Sequence, residues 1–289
     1  MFNFFVLIQF LLPHHLLSKI AGLLAESKVL KNFLILAFIR RYKVDIREAK
    51  ITDVWDYKTF NHFFTRELKP EARPVDLNLD TVVSPADGKL SAYGEIISSH
   101  LLQAKDHHFS LCDLLGGNRE VSKLFINGNY TTVYLSPKDY HRVHMPISGK
   151  LISTFYIPGS LFSVNEMTSE SLPNLFARNE RVVCLFQTKV GPMCLILVGA
   201  MIVGSIETTW GEGTYITHSK TRVHATDYSS LEKPIAISKG QEMGRFKLGS
   251  TVITLFGSQA ISMDTEIKMN YPIKMGQKLG YIKHLNANN

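Results

Sequence analysis

Seven short apolar runs lie beyond residue 66, and they restrict what this chain can fold into. They are rich in β-branched and aromatic side chains, and turn residues such as glycine, proline and asparagine separate them. The runs are KLSAYGEII, YTTVYL, KLISTFYI, RVVCLFQT, MCLILVGAMIVGSI, PIAIS and TVITLF. Short runs of this kind are typical of strands rather than of long helices. We therefore expect a mainly β domain with a barrel-like or sandwich arrangement.

Prolines mark where this β-rich part begins. The segment RELKPEARPVDLNLDTVVSPADG contains three prolines, which favour an extended backbone. We place a domain boundary there, with residues 1–65 as a helical region and residues 66–289 as the β-rich domain. The expected fold class is α+β. The polar stretch 211–233 has no clear period, and we expect it to be a long excursion from the β-rich domain.

The N-terminal segment is apolar, but its apolar runs are too short to cross a bilayer. Leu16, Ile20, Leu23 and Leu24 recur at the spacing of one helix face, and Pro13 interrupts the first apolar run. This pattern favours short helices that lie in the lipid interface. Core helices of a soluble domain and a transmembrane anchor are the alternatives, and the residues alone leave them open.

Positive charge is concentrated in the same region. The chain of 289 residues has a net charge of +7, and residues 18–50 hold eight Lys or Arg against three Asp or Glu. A basic zone suits either nucleic acid or an anionic membrane. The apolar residues around it favour the membrane, so we expect no nucleic-acid partner.

Carboxylates and histidines occur close together in two polar segments. Asp87 lies in the turn sequence SPADG, where an ordinary turn carboxylate is common. In LSPKDYHRVHMP, Ser136 to Asp139 resembles a helix start. One helical turn would place His141 and His144 on one face, whereas an extended backbone would point them to opposite sides. The sequence is compatible with two uninvolved surface histidines and with a pair of metal ligands. No third ligand of suitable spacing lies nearby, so we expect no metal.

The segment YIPGSLFSVNEMTSESLPNLFARNERV mixes apolar and polar side chains. Ser163 and Asn165 stand among Phe162, Leu172 and Phe176. Such a segment suits one wall of a ligand pocket. A surface loop held by its aromatic side chains fits the pattern equally well.

A Gly-Ser-Thr triplet interrupts the apolar run FKLGSTVITLF. Ser250 has neither the G-x-S-x-G frame of a hydrolase elbow nor the G-K-[ST] of a phosphate loop. A serine hydroxyl can also attack the carbonyl of the preceding residue, and a glycine such as Gly249 hinders that approach least. The attack needs a base, which is usually a histidine held by a carboxylate.

Five segments in this order resemble the phosphatidylserine decarboxylase family, specifically its membrane-associated bacterial type. They are SPADG, YLSPKDYHRVHMP, LFSVNEMTSESLPNLFARNERV, VGSIETTWGEG and GQEMGRFKLGSTVITLF. The similarity extends over nearly the whole chain and includes YKVDIREA and FNHFFTREL. The polar stretch after Trp210 is the least similar part.

The resemblance implies a proenzyme that cuts itself between Gly249 and Ser250. Attack by the serine hydroxyl would replace the amide with an ester, and elimination followed by hydrolysis would leave a pyruvoyl group and ammonia. The products would be a β chain of residues 1–249 and an α chain of residues 250–289. The pyruvoyl cofactor would then serve the decarboxylation of phosphatidylserine to phosphatidylethanolamine and CO2.

The resemblance also implies catalytic roles for individual residues. His144 would be the base that activates Ser250, and Asp87 would orient this base. Asp139 would be a supporting carboxylate. His141 would be the acid of the decarboxylation step.

The substrate contacts and surroundings follow from the same resemblance. Ser163 and Asn165 would contact the head group of phosphatidylserine. We expect a peripheral enzyme on the cytoplasmic face of the inner membrane, bound to an anionic lipid surface as a homodimer. Two other function classes use the same features: a lipid-directed serine hydrolase with Ser250, His144 and Asp87, and a lipid-binding or carrier module suggested by YPIKMGQKLGYI.

Overall fold

The computed structural model describes residues 4–104, 107–201, 205–210, 214–216, 222–247 and 250–283. Helices concentrate at the N-terminus of these ranges. The α-helices are α1 (Phe4–Leu11), α2 (His14–Ala25), α3 (Lys31–Tyr42), α4 (Phe60–Phe64), α5 (Leu111–Leu114), α6 (Arg119–Lys123), α7 (Glu166–Ser171) and α8 (Leu175–Arg178). Short 3-10 helices lie at Ile46–Glu48, Val54–Asp56 and Pro70–Ala72.

Strands make up most of the rest of the described chain. They are β1 (Thr81–Val83), β2 (Gly88–Glu95), β3 (His100–Ala104), β4 (His107–Ser110), β5 (Asn129–Leu135), β6 (Arg142–His144), β7 (Gly149–Ile157), β8 (Arg181–Thr188), β9 (Gly191–Gly199), β10 (Ser205–Thr208), β11 (Thr214–Ile216), β12 (His224–Asp227), β13 (Ala236–Ile237), β14 (Glu242–Lys247), β15 (Ser250–Phe256), β16 (Ile261–Met263), β17 (Pro272–Ile273) and β18 (Lys278–Ile282).

One large antiparallel sheet organises these strands. Its order is β12-β7-β8-β9-β15-β5-β2-β17, and β13 also pairs with β7. Two smaller sheets have the orders β11-β10-β14-β6 and β1-β18-β16, and β3 pairs with β4 in a hairpin. The large sheet places β15 between β9 and β5, near its centre.

The central strands of the large sheet are covered on both faces. Along β9, alternate side chains belong to two different apolar clusters, and all of them are buried: Met193, Leu195 and Leu197 on one face, and Cys194, Ile196 and Val198 on the other. Successive side chains of a strand point to opposite faces. A strand covered on both faces therefore has an unbroken apolar sequence, as RVVCLFQT and MCLILV do.

The two clusters define three layers. The first cluster joins one face of the large sheet to the two small sheets, through residues such as Val82, Val143 and Phe246. The second joins the opposite face to the short helices α5, α6 and α8, through residues such as Leu114 and Phe176. The arrangement is a sandwich of sheets with helices on the outer side, and it confirms the predicted α+β class.

The N-terminal helices have a smaller core of their own. It is formed by buried residues between positions 25 and 64: Ala25, Ile35, Val44, Tyr57, Phe60, Phe63 and Phe64. Ring contacts of Phe38 with Phe60, Phe63 and Phe64 join α3 to α4. The boundary near residue 66 stays a prediction, since a separate cluster does not by itself define a domain.

One face of these helices is apolar and exposed. Leu16, Ile20, Leu23 and Leu24 of α2 are all exposed, so the helix face predicted from their spacing is confirmed. The described part of the chain contains no helix that is both long enough and apolar enough to span a membrane. Several large apolar side chains exposed on one helix face are typical of an interaction site.

The structure differs from the sequence predictions at Ser136 and within the polar stretch 211–233. The segment that begins at Ser136 makes a single turn instead of a helix and continues into β6, because β6 pairs with β14. Within the polar stretch 211–233, the described residues include β11 and β12, which pair with β10 and β7. The sequence prediction missed both of these strands.

Candidate active site

Ser250 is the first residue of β15. Its backbone pairs with Leu135 of β5 and with Gly199 of β9. Its side chain is completely buried, and its Oγ has no hydrogen-bond partner within the ranges that the structure describes. Leaving a buried polar group unpaired costs about 1–3 kcal/mol. Gly249, the other residue of the predicted cleavage site, lies outside the described residues.

An unpaired hydroxyl alone does not single out Ser250. Buried threonines of β5 and β15 also lack a partner for their hydroxyls among the described residues, for example Thr131 and Thr254. The position of Ser250 distinguishes it, because it starts a central strand directly after a glycine. Strand alternation also places its side chain on the face of Val252, which packs against the sheet that contains β6.

His144, at the end of β6, is held by hydrogen bonds at both ring nitrogens. Nδ1 lies 2.8 Å from the carbonyl oxygen of Gly240, and Nε2 lies 3.0 Å from the hydroxyl of Tyr140. A carbonyl oxygen only accepts, so Nδ1 carries the proton and Nε2 accepts from Tyr140. Burial lowers the pKa of His144 below its ordinary value of 6.5. The imidazole is therefore neutral at neutral pH, with its basic lone pair on Nε2.

Asp87 is buried and paired with an arginine. Nε of Arg73 lies 2.8 and 2.9 Å from the two carboxylate oxygens of Asp87, and the Met275 amide donates to Oδ1 at 2.9 Å. Burial alone would lower the pKa of Arg73, but hydrogen bonds to Asp87 and Glu48 outweigh it and raise that pKa. The salt bridge from Arg73 to Glu48 measures 2.8 Å. The charge of Asp87 is therefore compensated inside the protein.

The turn that carries Asp87 contacts His144 through its backbone. The amide of His144 donates to the carbonyl oxygen of Pro85 at 2.8 Å. In the same turn, a Cβ on Gly88 would come within 2.2 Å of the carbonyl oxygen of Tyr134, so only glycine fits there. The hydrogen bonds of the Asp87 carboxylate go to Arg73 and Met275, while those of the His144 ring go to Gly240 and Tyr140.

Asp139 closes the turn that follows β5. Its Oδ2 accepts from the backbone amide of Ser136 at 2.7 Å and from the Ser136 hydroxyl at 2.6 Å. Burial raises the pKa of Asp139, although the bonds from Ser136 act in the opposite direction. Since Leu135 pairs with Ser250, this turn lies directly beyond the residue opposite Ser250.

His141 lies against the N-terminal helices. Its ring stacks on Phe64 at a centroid distance of 4.0 Å, and its Nε2 is 3.4 Å from the carbonyl oxygen of Pro137. Burial, with a smaller contribution from the charge of Arg66, lowers the pKa of His141 to about 3. Because the backbone before β6 is extended, His141 and His144 have different surroundings, as the extended alternative predicted.

Ser163 and Asn165 lie in the 158–165 loop, between β7 and α7. The Ser163 amide donates to Oε1 of Gln9 at 2.8 Å, and Oδ1 of Asn165 caps α7 by accepting from the Thr168 amide at 2.9 Å. A second set of contacts joins this loop to β9, the strand beside Ser250. Asn179 donates to the carbonyl oxygens of both Phe162 and Gly199, at 2.8 and 2.9 Å.

Comparison with known proteins agrees with this geometry. The family model described as Phosphatidylserine decarboxylase matches residues 60–281, which is most of the chain. The chain belongs to the phosphatidylserine decarboxylase family. A second family model, described as PSD, matches residues 4–43. The resemblance predicted from the sequence motifs is thus confirmed.

Curated relatives with the name Phosphatidylserine decarboxylase proenzyme cover the chain almost completely. The protein of Ectopseudomonas mendocina (strain ymp) is 51% identical over 279 residues, which is 96% of this chain and 97% of the relative. The protein of Bordetella avium (strain 197N) is 51% identical over 277 residues, 95% of this chain and 93% of the relative. The protein of Pseudomonas aeruginosa (strain LESB58) is 49% identical over 282 residues, 96% and 97% of the two chains.

Three residues of this phosphatidylserine decarboxylase family member were missed by sequence reasoning. Arg73 pairs with Asp87, Tyr140 bonds His144, and Gln9 bonds the 158–165 loop. The only signal for Tyr140 was its place between an aspartate and a histidine in KDYHRVH. Arg73 and Gln9 had no recognisable signal in the sequence, because their partners lie 14 and 154 residues away along the chain.

Proposed function

We propose that this chain decarboxylates phosphatidylserine to phosphatidylethanolamine, using a pyruvoyl group that it forms from its own Ser250. The observation that carries the proposal is the buried, unpaired Ser250 hydroxyl at the start of a central strand, in a chain that matches the family almost throughout. Conversion of Ser250 to a pyruvoyl group suits this buried environment, because it removes a hydroxyl that has no hydrogen-bond partner in the described structure. The pyruvoyl carbonyl supplies an electron sink for the charge left when CO2 departs.

Self-cleavage begins at Ser250 in this proposal. The Tyr140 hydroxyl, which donates to His144 Nε2 in this structure, first turns away. His144 Nε2 then takes the proton from Oγ as Oγ bonds to the carbonyl carbon of Gly249, and it passes this proton to the amide nitrogen as that nitrogen leaves the carbon. Elimination then leaves the carboxylate on Gly249, and hydrolysis of the dehydroalanine releases ammonia. The neutral imidazole, with Nδ1 held by Gly240, supports His144 as the base.

Asp87 and Asp139 act as supporting carboxylates in this scheme. Asp87 lies in the turn that holds the His144 backbone, and its ion pair with Arg73 keeps that turn in place. The Asp87 carboxylate stabilises a protonated His144 electrostatically, since its charge raises the pKa of His144 although its hydrogen bonds go to other residues. Asp139 fixes the turn next to Leu135, the residue opposite Ser250.

His141 is the proposed acid of the decarboxylation step. In the described structure burial keeps its ring neutral. A phosphate of a bound lipid next to the ring would raise the pKa of His141. The protonated His141 ring would then donate the proton that the product carbon needs. The stack on Phe64 fixes the ring plane, which supports a defined direction of proton transfer.

The head group of phosphatidylserine is proposed to bind at the 158–165 loop. The Ser163 hydroxyl and the Asn165 side-chain amide are the polar groups available there, since the Asn165 carbonyl oxygen caps α7. An apolar cleft of about 460 Å³ between the N-terminal helices and Pro137 suits an acyl chain. Its lining includes Phe64, which also stacks on His141.

The proposed location is the cytoplasmic face of the inner membrane, where the enzyme is peripheral. Exposed apolar side chains on α1 to α3 support burial in the lipid interface. Arg40 and Arg41 in the last turn of α3 would contact anionic head groups, each contributing about 1 kcal/mol. We also propose a homodimer on the resemblance alone, which light scattering in detergent would test.

The activity is tested with phosphatidylserine labelled at the serine carboxyl. Purified full-length protein is expected to release the label as CO2 from detergent-dispersed lipid and to leave phosphatidylethanolamine. Borohydride, which reduces carbonyl groups, should abolish this release. A protein that releases free fatty acid instead would support the hydrolase alternative, and a protein that binds the lipid without turnover would support the carrier alternative.

A further inference from the structure

Gln9 is out of place on a helix that faces lipid. It is the only polar residue of α1, whose sequence is FFVLIQFL. Its side chain is 1% exposed, whereas its neighbour Phe10 is 50% exposed and Leu11 is 87% exposed. A helix that only had to enter the lipid interface would need no buried amide. The burial of Gln9 therefore indicates a contact on the protein side of the helix.

That contact is the 158–165 loop and the start of α7. Oε1 of Gln9 accepts from the Ser163 amide at 2.8 Å, and Nε2 donates to the Thr168 hydroxyl at 3.3 Å. Both ends of the side-chain amide are thus used by one short segment. Rings reinforce the contact, because Phe10 and His14 each lie 4.9 Å from the ring of Phe162.

The same loop is bonded to the strand beside Ser250. Asn179 is completely buried, and its side chain accepts from the Phe162 amide at 3.1 Å and donates to the Phe162 carbonyl oxygen at 2.8 Å. It also donates to the carbonyl oxygen of Gly199, the residue paired with Ser250. The loop is therefore fixed from two sides, by α1 and by the central sheet.

We propose that Gln9 is a positioning residue that couples the lipid-facing helix α1 to the 158–165 loop of the reaction site. The outer face of α1 lies in the membrane, and its inner face holds Ser163 at the distance from Ser250 that the substrate requires. The position of α1 at the membrane then also determines the shape of the head-group site. This inference rests on the proposed function, because it assigns a purpose to the loop that would contact the head group.

The first experiment separates positioning from membrane binding. Gln9→Met keeps the length and removes both hydrogen bonds, whereas Leu11→Ser changes only the exposed face of the same helix. Full-length, self-cleaved variants are assayed with a short-chain phosphatidylserine below its micelle concentration and with vesicles of phosphatidylserine and phosphatidylcholine. For Gln9→Met we expect the KM for the soluble substrate to rise about fivefold or more, the effect of losing about one net hydrogen bond.

The control should behave in the opposite way. Leu11→Ser is expected to keep wild-type kinetics on the soluble substrate and to lose activity on vesicles. Gln9→Met should sediment with vesicles as the wild type does. Wild-type kinetics of Gln9→Met on the soluble substrate would overturn the proposal, and so would a loss confined to vesicles. If the wild type itself releases no CO2, the proposed function fails instead.

A second measurement does not depend on activity. Hydrogen exchange of the Ser163 amide, which donates to Gln9, is expected to be about fivefold faster in Gln9→Met, while exchange in β8 and β9 stays unchanged. Thr168→Val, which removes one partner without altering α1, should accelerate the same amide by a smaller factor. Unchanged exchange at Ser163 in both variants would contradict the proposal.

Discussion

The N-terminal helices and the central strands contain similar apolar residues and use them in opposite ways. In β9, the side chains of residues 193–198 are all completely buried. In α1 to α3, Leu11, Leu23 and Phe33 are 87%, 69% and 72% exposed. The apolar side chains of the strands are buried against other layers of the protein. Those of the helices remain exposed, so that a lipid phase or another apolar surface can cover them. Apolar content alone therefore does not tell which segments form the core.

The two regions nevertheless meet at the proposed reaction site. Phe64 of the helical region stacks on His141, and Gln9 bonds the 158–165 loop. The β-rich domain supplies Ser250 and His144. We infer that the strands carry the reacting residues and that the helices bind the lipid surface. Four experiments test this difference between the two regions.

Replacing Ser250 should have the largest effect. Ser250→Ala removes the attacking oxygen, so the chain is expected to stay in one piece and to show no decarboxylation. Stability should not fall, because the lost hydroxyl has no partner among the described residues. A denaturing gel and thermal unfolding would check this. Ser258→Ala, at an exposed position shortly after β15, is the control and should cleave normally.

The two histidines should separate cleavage from turnover. His144→Ala is expected to remain uncut, because it removes the neutral imidazole that we propose as the base for Ser250. His141→Ala should cut and then lose about 10²–10⁴-fold in kcat, the usual contribution of a general acid. A gel and a CO2 assay on the same preparations would measure both. An uncut His141→Ala would show that the assigned roles are wrong.

Two neighbouring residues of α3 test the exposed face of the helices. Phe33 is exposed and Ile35 is completely buried. Phe33→Ala should weaken vesicle binding by about tenfold or more, the value of one buried aromatic side chain, without changing the unfolding temperature. Ile35→Ala should destabilise the helical region by about 2–5 kcal/mol. Equal effects of both substitutions on vesicle binding would contradict a lipid-facing surface.

The pH dependence of stability should give a gradual change, which is small for each pH unit. Because burial lowers the pKa of His141 to about 3, the unfolded chain takes up a proton near pH 6.5 while the folded chain does not. The stabilising contribution of a neutral His141 is then fully present above pH 6.5. Below that pH the free energy of unfolding falls by about 1.4 kcal/mol per pH unit as the pH drops towards 3. His141→Phe should make this slope shallower when both chains carry Ser250→Ala. Equal slopes would contradict a buried, neutral His141.

Sequence patterns predicted the strands best where an apolar run has turn residues at both of its ends. The run RVVCLFQT corresponds residue for residue to β8, Arg181–Thr188. The helix predicted to start at Ser136 does not form, because long-range pairing of β6 with β14 outweighs the local signal. The capping contact implied by that signal is nevertheless present, since Asp139 accepts from the Ser136 amide. Propensity describes only neighbours along the chain, so this competition was invisible.

The proposed site was predictable as a set of residues but not as a set of contacts. Family motifs indicated Asp87, His144 and Ser250, and these remain predictions about roles. The bond from Arg73 to Asp87 spans 14 residues and that from Gln9 to Ser163 spans 154. Buried polar pairs of this kind depend on how distant segments pack, so spacing along the sequence cannot reveal them.

The central claim is that the Ser250 hydroxyl attacks the carbonyl of Gly249 and is itself consumed. Intact mass spectrometry of the purified protein tests it most directly. We expect two fragments divided between residues 249 and 250, the smaller one lighter than its amino acid sequence by one ammonia and resistant to Edman degradation. An active protein that is a single uncut chain, or a smaller fragment with a free serine amine, would contradict the account.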